Sequence, residues 1–206
     1  MNKFVPPLVS IIAGIALAVG IILVFPPANP DPNHTHADFA IWVNGSYLDF
    51  SGDEYMSGSS TDGSTHPTEG LRKYLHLHDG NGSVIHRHKS GLTLNEFLAS
   101  NLQLNLAYSG SSSCFYTPAD GCTSSPLHMF VNGKEFLDSQ YPGRIGEFVF
   151  QDGDHILITD SQDASVIAEQ LQKMTDDACQ YSRTCPWRGA PPMENCIADP
   201  TVPCML

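Results

Sequence analysis

The sequence predicts an α+β domain with a mostly antiparallel sheet, one N-terminal transmembrane helix and a disulfide-rich C-terminal tail. Three observations predict it: apolar and polar residues alternate around Asn-Gly and Asp-Gly turns, a helical stretch separates these strand pairs, and cysteines crowd the last segment. Strand pairs on both sides of a helix are typical of α+β domains. A chain of 206 residues is long enough for one such domain with a hydrophobic core.

The N-terminal apolar run is the first element. Residues 8–25, LVSIIAGIALAVGIILVF, carry no charge and are numerous enough to cross a bilayer as a helix. Lys3 precedes the run, which predicts a cytoplasmic N-terminus and a main domain that is extracellular or periplasmic. No small-residue cleavage site precedes Pro26, so an uncleaved anchor is favoured over a cleaved signal peptide. We expect residues 1–29 to form a cytoplasmic tip, a membrane anchor and a linker.

The strands are predicted within residues 30–162, the extracytoplasmic α+β domain. The stretch HADFAIWVNGSYLDF alternates apolar and polar side chains up to Asn44-Gly45, a dipeptide typical of tight hairpin turns. A second Asn-Gly turn occurs in LHMFVNGKEFLD. The stretch GEFVFQDGDHILITD predicts a third strand pair around Asp152-Gly153.

Two helices are predicted. Thr93 is a suitable N-cap for the first, and Glu96, three residues later, completes a capping box. Its apolar stripe consists of Leu94, Phe97 and Leu98. Residues 163–178 predict a second helix, whose apolar side would consist of Val166, Ile167, Leu171 and Met174.

The six cysteines fit an oxidising compartment, because an even number can pair completely. Cys114 and Cys122 are close enough to staple one loop. The other four lie in residues 163–206, the helix and Cys-rich tail: Cys179, Cys185, Cys196 and Cys204. Their connectivity does not follow from the sequence. The tail is too poor in apolar periodicity to fold by core burial, so it is expected to rely on disulfides.

The charge balance excludes one class of partner. The chain carries a formal net charge of −12 and only 10 Lys and Arg residues. It therefore lacks the basic surface with which proteins hold a phosphate backbone, and no nucleic-acid partner is expected.

Several of these stretches carry a resemblance. The segment Val84 to Asp160 resembles a β-grasp domain. The motifs HTHADFAIWVNG, HLHDGNGSVIHRH, FVNGKEF and TDDACQYSRTCPWRG are similar to a group of uncharacterised, single-span, His-rich exported proteins of archaea and little-studied bacteria. The resemblance covers nearly the whole exported part. It implies a shape and an exported location, but no established activity.

The stretch HLHDGNGSVIHRH, residues 76–88, contains four histidines around a turn. They alternate with Leu77 and Ile85, so each strand of this hairpin has an apolar face and a histidine face. A loop with an odd number of residues sets His76 opposite His86 and brings all the histidines to one side. His76 and His86 are therefore the first pair of candidate metal ligands.

The motif HTHAD repeats the same two-residue spacing. If its strand neighbours the hairpin, one polar face of the sheet carries three His-x-His units and a carboxylate. The predicted metal ligands are then His34, His36, Asp38, His76, His78, His86 and His88. Such a nitrogen-rich set suits Cu(II) or Zn(II) ions rather than Cu(I). Asp38 is alternatively an acceptor that orients a histidine, or a solvent-facing residue.

These patterns predict a membrane-anchored extracytoplasmic protein that binds copper or zinc and holds, delivers or senses the ion. One alternative is a cell-surface structural or interaction module, in which the histidines only cover a solvated sheet face and the Cys-rich tail docks a protein partner. Another is an envelope thiol-disulfide enzyme, although no C-x-x-C pair occurs. No catalytic residues are predicted, because no nucleophile elbow or H-E-x-x-H motif is present. Because both side chains point away from the predicted core, replacement of His76 and His86 with alanine is expected to abolish metal binding and to leave the fold intact.

Overall fold

The structure, a computed structural model, describes residues 34–59, 65–66, 69–109, 112–137, 144–190 and 192. The strands in this part of the chain are β1 (Thr35–Val43), β2 (Ser46–Tyr47), β3 (Gly58–Ser59), β4 (Thr65–His66), β5 (Leu75–His76), β6 (Val84–Arg87), β7 (Asn105–Ser109), β8 (Ser112–Thr117), β9 (Gly121–Cys122), β10 (His128–Val131), β11 (Lys134–Glu135) and β12 (Asp154–Thr159). The α-helices are α1 (Leu94–Asn101), α2 (Ala164–Gln172) and α3 (Ala178–Tyr181).

The main sheet has the strand order β11-β10-β12-β1-β6-β5, with β2 paired to β1. Strands β1 and β12 run parallel at its centre, whereas the other pairs in this sheet are antiparallel. The fold is thus of the mixed α+β class, mostly sheet with few helices, as the sequence predicts. Strand β6 lies between β1 and β5, so the HTHAD strand does neighbour the histidine hairpin.

The hydrophobic core lies between one face of this sheet and helix α1. Phe39 of β1 meets Phe97 of α1 edge to face, with ring centroids 5.2 Å apart. Leu94 and Leu98 of the same helix are also fully buried. At the start of α1, the Thr93 hydroxyl accepts the Glu96 N–H and the Glu96 carboxylate accepts the Thr93 N–H. The predicted capping box and apolar stripe are therefore confirmed.

Both Asn-Gly hairpins are confirmed. Asn44 and Gly45 join β1 to β2 with φ angles of 52° and 76°, and Asn132 and Gly133 join β10 to β11 with the same values. Positive φ at two successive residues is the requirement of the tight turn that matches strand twist, and it explains why Asn and Gly occupy these positions.

The third predicted strand pair, around Asp152-Gly153, is wrong. Only β12 forms there, because β1 and β10 occupy both of its edges and the backbone before it is bonded elsewhere. The Phe148 carbonyl accepts the Leu94 N–H at the start of α1, and the Phe150 carbonyl accepts the Arg87 guanidinium. These two bonds replace the ladder that a hairpin partner of β12 would need.

The second predicted helix, residues 163–178, is divided. Helix α2 ends at Gln172, and a separate short helix, α3, begins at Ala178. The break arises because the Asp38 carboxylate accepts the backbone N–H groups of Asp177 and Ala178, at 2.8 and 3.0 Å. Because these two N–H groups bond to a side chain of β1, the backbone starts a new helix at Ala178 instead of continuing α2.

Two disulfides are present in the described residues. Cys114–Cys122 closes the turn between β8 and β9, as predicted, and Cys179–Cys185 closes a short loop around the end of α3. Cys196, Cys204 and the predicted anchor at residues 8–25 lie outside the described residues. Within the described part of the chain, no helix has the length and apolar character needed to cross a membrane.

Candidate metal centre

Six histidines are buried together on the face of the sheet opposite the core. They are His34, His36, His76, His78, His86 and His88, with exposed fractions between 0% and 9%. The alternative in which the histidines only cover a solvated sheet face is therefore wrong. The face is covered by α3 and the residues beside it, and the Tyr181 ring lies 4.7 Å from His86 and 5.6 Å from His36. We call these six residues the histidine cluster.

The register of three strands builds the cluster. His36 on β1 is opposite His86 on β6, and His86 is in turn opposite His76 on β5. The predicted hairpin register is therefore confirmed. The corresponding ring centroids are 4.8 Å and 5.9 Å apart, so one row of imidazoles crosses all three strands.

The remaining histidines extend this row along the strands. His34 and His88 lie side by side at one end, with ring centroids 4.0 Å apart. His78, just beyond β5, has its Nε2 atom 3.2 Å from Nδ1 of His86. His34, His36 and His86 each offer a nitrogen, and these three atoms lie within 4.8 Å of one another.

Hydrogen bonds fix which ring nitrogen carries the proton in three of these histidines. His76 Nδ1 donates to the carbonyl of Arg72 at 2.8 Å, because a carbonyl only accepts. His78 Nδ1 lies 2.7 Å from a carboxylate oxygen of Asp79. In the neutral form of both rings, Nε2 is then the basic nitrogen. A partner that fixes the tautomer in this way is typical of metal-binding histidines.

His36 is fixed through a longer chain of groups. Its Nδ1 lies 2.7 Å from the Ser182 hydroxyl, which itself donates to the Asp152 carboxylate at 2.5 Å. Burial raises the pKa of Asp152, but hydrogen bonds from His36 and Ser182 outweigh burial and hold that pKa below its ordinary value. Asp152 is therefore an ionised acceptor, which orients His36 through Ser182.

Asp38, the seventh candidate ligand, does not join the histidine cluster. Its buried carboxylate accepts the Thr175 hydroxyl at 2.6 Å as well as the N–H groups of Asp177 and Ala178. It thereby ties residues 175–188, which we call the cover segment, to the centre of the sheet. The role that the structure gives Asp38 is to hold the cover over the histidines.

A second, more exposed group surrounds Asp38. His155 Nε2 lies 3.8 Å from Asp38 and 3.4 Å from Asp176, and these residues could also approach one ion. However, Arg188 pairs with Asp176 at 3.5 Å, so this group already has its own cation. The sequence did not single out His155 as a site residue, because its position beside Asp38 depends on the parallel pairing of β12 with β1.

The sequence did not predict four further groups at the site, which are Tyr181, Ser182, Asp152 and the Arg72 carbonyl. Each acts through a contact that is made by folding: the first two belong to the cover segment, and Ser182 is separated from His36 by 146 positions. Of the isolated histidines, His128 pairs with Glu135 at 2.8 Å on the surface. The side chain of His66 lies outside the described residues.

The donor chemistry of the cluster is uniform. All six side chains offer imidazole nitrogen, and the nearby Cys179 is held in a disulfide. Nitrogen-rich sites of this kind suit Cu(II) and Zn(II), whereas Cu(I) prefers sulfur ligands. No protein-family model, curated protein or solved structure matches this chain.

Proposed function

We propose that this protein is a membrane-anchored, extracytoplasmic metal-binding protein that holds, delivers or senses Cu(II) or Zn(II) through the histidine cluster. The observation that carries the proposal is the burial of six imidazoles in mutual contact, three of them with Nδ1 held by a fixed partner. A histidine that binds a metal through one ring nitrogen usually donates its other N–H to a carboxylate, a backbone carbonyl or a similar acceptor, which fixes the orientation of the ring.

The packing distances fit coordination. Two imidazoles that bind one ion through bonds of about 2.0 Å have ring centroids at most roughly 6.5 Å apart. The ring contacts within the cluster run from 3.9 Å, between His78 and His86, to 6.4 Å, between His34 and His86. Small side-chain rotations would therefore bring several nitrogens to one ion without any change in the sheet.

Burial also distinguishes these histidines from polar surface residues. Burial of a polar side chain costs free energy that hydrogen bonds or a bound ion must offset, and a polar residue placed only for solubility would remain exposed. If several of these rings were protonated instead, like charges would face one another at short range. A dication would bond to the ring nitrogens, and the carboxylates of Asp79 and Asp152, each linked to a ring, would balance part of its charge.

The architecture and location in this proposal have separate support. A β-grasp-like topology is supported by the central parallel pair β1 and β12, the antiparallel neighbours β6 and β10, and helix α1 between them along the chain. The membrane anchor is supported by the uncharged run at residues 8–25. The two disulfides fit an oxidising compartment outside the cytoplasm.

Titration of the full chain, purified in a mild detergent without a His tag and stripped with a chelator, tests the proposal. We expect sub-micromolar binding of Cu(II) and Zn(II). The variant His86→Phe should bind at least about 100-fold more weakly, because His86 lies at the centre of the cluster and phenylalanine keeps a ring without a ligand atom.

The matched control is His128→Phe, which changes a surface histidine paired with Glu135 and should leave the affinity unchanged. Circular dichroism spectra should show that both variants are folded, since His86, unlike His128, is fully buried. Equal affinities of wild type and folded His86→Phe would remove the cluster as the site. Weak, non-stoichiometric binding by the wild type would instead favour the interaction module, with the cover segment or tail as the docking surface.

A further inference from the structure

We infer that the Cys179–Cys185 disulfide controls how tightly the protein retains a metal ion in the histidine cluster; this inference rests on the proposed metal-binding function. With the disulfide formed, the cover segment stays closed over the ion. When a dithiol reduces the disulfide, the cover opens and the ion leaves faster. The retention of metal is thus under redox control.

The disulfide encloses the residues that cover the cluster. Its two cysteines are separated by 6 positions, and Tyr181 and Ser182 lie between them. The Tyr181 ring lies 4.7 Å from His86, and the Ser182 hydroxyl lies 2.7 Å from Nδ1 of His36. His36 and His86 are two of the three histidines whose ligand nitrogens lie within 4.8 Å of one another. The loop that the disulfide closes is therefore the loop that covers this set of ligand atoms.

The disulfide also connects the far end of this loop to the sheet. Asp38 accepts two backbone N–H groups at the start of α3, immediately before Cys179. Cys185, at the other end of the loop, is bonded to Cys179 and is therefore held beside the same anchor. An ion pair between Arg188 and Asp177, at 3.0 Å, links the two ends as well, but it lies at the surface, where such pairs contribute little.

The loop has little stability of its own. Helix α3 has 4 residues, whereas an isolated helix needs about 12 or more to be stable in water. The buried apolar cluster beneath the cover consists of Val84, Ala178 and Tyr181 and is separate from the main core. A segment with so little apolar burial opens at a low free-energy cost unless a cross-link restricts it. We therefore expect reduction to open the cover while the core stays folded.

The redox step is a thiol-disulfide exchange with a dithiol. One thiolate of the reductant attacks Sγ of Cys179, which is partly exposed, whereas Cys185 is only 3% exposed. The S–S bond breaks, and Cys185 leaves as a thiolate that takes up a proton. The second thiol of the reductant then displaces Cys179 from the mixed disulfide. Two electrons and two protons pass to the protein, which gains two thiols, and the reductant becomes a disulfide.

The first test is the rate at which the Zn(II)-loaded full chain loses Zn(II) to a chromogenic chelator. We expect the double variant Cys179→Ser, Cys185→Ser to lose Zn(II) at least about 10-fold faster than the wild type, because the cross-link no longer restricts the open state. The matched control is Cys114→Ser, Cys122→Ser, which removes the disulfide between β8 and β9 and should keep the wild-type rate. Circular dichroism checks that both variants are folded.

A second measurement needs no variant. The wild type is equilibrated with mixtures of a reduced and an oxidised dithiol, and mass spectrometry after alkylation gives the reduced fraction of each disulfide. Coupling between two equilibria is reciprocal, so bound Zn(II) should disfavour reduction of Cys179–Cys185. We expect the Zn(II)-loaded chain to need at least about a 10-fold higher ratio of reduced to oxidised dithiol, matching the effect of the cross-link. Cys114–Cys122 is the internal control and should not shift.

Equal rates of Zn(II) loss in the wild type and the folded Cys179→Ser, Cys185→Ser variant would overturn the inference and leave the proposed function standing. The same acceleration in Cys114→Ser, Cys122→Ser would also overturn it, because the effect would then not depend on the cover. If the first variant does not fold, the equilibrium with the dithiol decides, and no shift of Cys179–Cys185 with Zn(II) would refute the inference. A wild type that binds no Zn(II) would overturn the proposed function as well.

Discussion

Replacement of Asp38 with alanine is expected to lower the free energy of unfolding by about 3 kcal/mol or more, because three hydrogen bonds to a buried carboxylate are lost at once. The Asp38 side chain is 0% exposed and accepts from the Thr175 hydroxyl and from the N–H groups of Asp177 and Ala178. Without it, the N–H groups that begin α3 lose their acceptor, and the cover segment loses three of its hydrogen bonds to the sheet.

Urea denaturation of the wild type and of Asp38→Ala measures this difference in the free energy of unfolding. Asp160→Ala is the matched control: its carboxylate also accepts a backbone N–H, from Asn44, but at an exposed site. It should cost less than about 1 kcal/mol. Asp38→Asn, which keeps an acceptor of the same shape, should fall between the two. An Asp38→Ala variant as stable as Asp160→Ala would show that the cover segment is held by other contacts.

The Asp38→Ala variant should also expose the histidine cluster to solvent. Tyr181 and Ser182, which contact His36, lie in the cover segment only a few residues after the helix start that Asp38 captures. We therefore expect histidine-directed chemical modification of Asp38→Ala to be faster than that of the wild type under native conditions. Equal rates would mean that the cover stays in place without this carboxylate.

Metal is expected to stabilise the folded protein. A free ion at 100 times its dissociation constant raises the free energy of unfolding by about 2.7 kcal/mol when it binds only the native state. The cluster draws ligands from β1, β5 and β6 and the residues beside them, which come together only in the folded sheet. Thermal or urea unfolding with Zn(II), and again after chelation, measures the difference.

The same unfolding measurements on His86→Phe and His128→Phe show which residues the stabilisation by metal depends on. His86→Phe should show almost no difference between its metal-loaded and metal-free forms, because the centre of the cluster is lost. His128→Phe should show the full wild-type difference, since its imidazole lies on the surface. A wild type whose unfolding is the same with and without metal would contradict binding to the native cluster.

Local signals in the sequence were sufficient for much of the fold. The Asn44-Gly45 and Asn132-Gly133 turns and the Thr93 capping box depend on residues a few positions apart, and all three are confirmed. The hairpin register also follows from a local pattern, because burial of one apolar face selects it. Such features are set by backbone geometry that the nearby residues alone control.

The features that the sequence did not predict all depend on distant contacts. The parallel pairing of β12 with β1 removes the third hairpin, and the Asp38 carboxylate divides the second helix. Neither has a periodic signal, because each arises from one backbone or side-chain group meeting another across more than 100 positions of chain.

In the candidate site, too, the features set by nearby residues were predicted and those set by distant contacts were not. The alternation of histidines predicted that they share one face, and the structure brings six of them together. Their burial was not predicted, because the cover segment that excludes water belongs to the tail, whose sequence has too little apolar periodicity to predict packing against the sheet. For the same reason, Ser182 and Tyr181 could not be recognised as neighbours of His36.

X-ray absorption spectroscopy of the metal-loaded full chain tests the central claim most directly, because it reports the atoms bonded to the ion. We predict only nitrogen or oxygen neighbours, with metal–nitrogen distances of about 2.0 Å and the outer-shell scattering of several imidazole rings. In His86→Phe the imidazole scattering should fall or the metal should be absent. A spectrum dominated by sulfur at about 2.3 Å, or by oxygen without imidazole, would contradict a metal centre built from the histidine cluster.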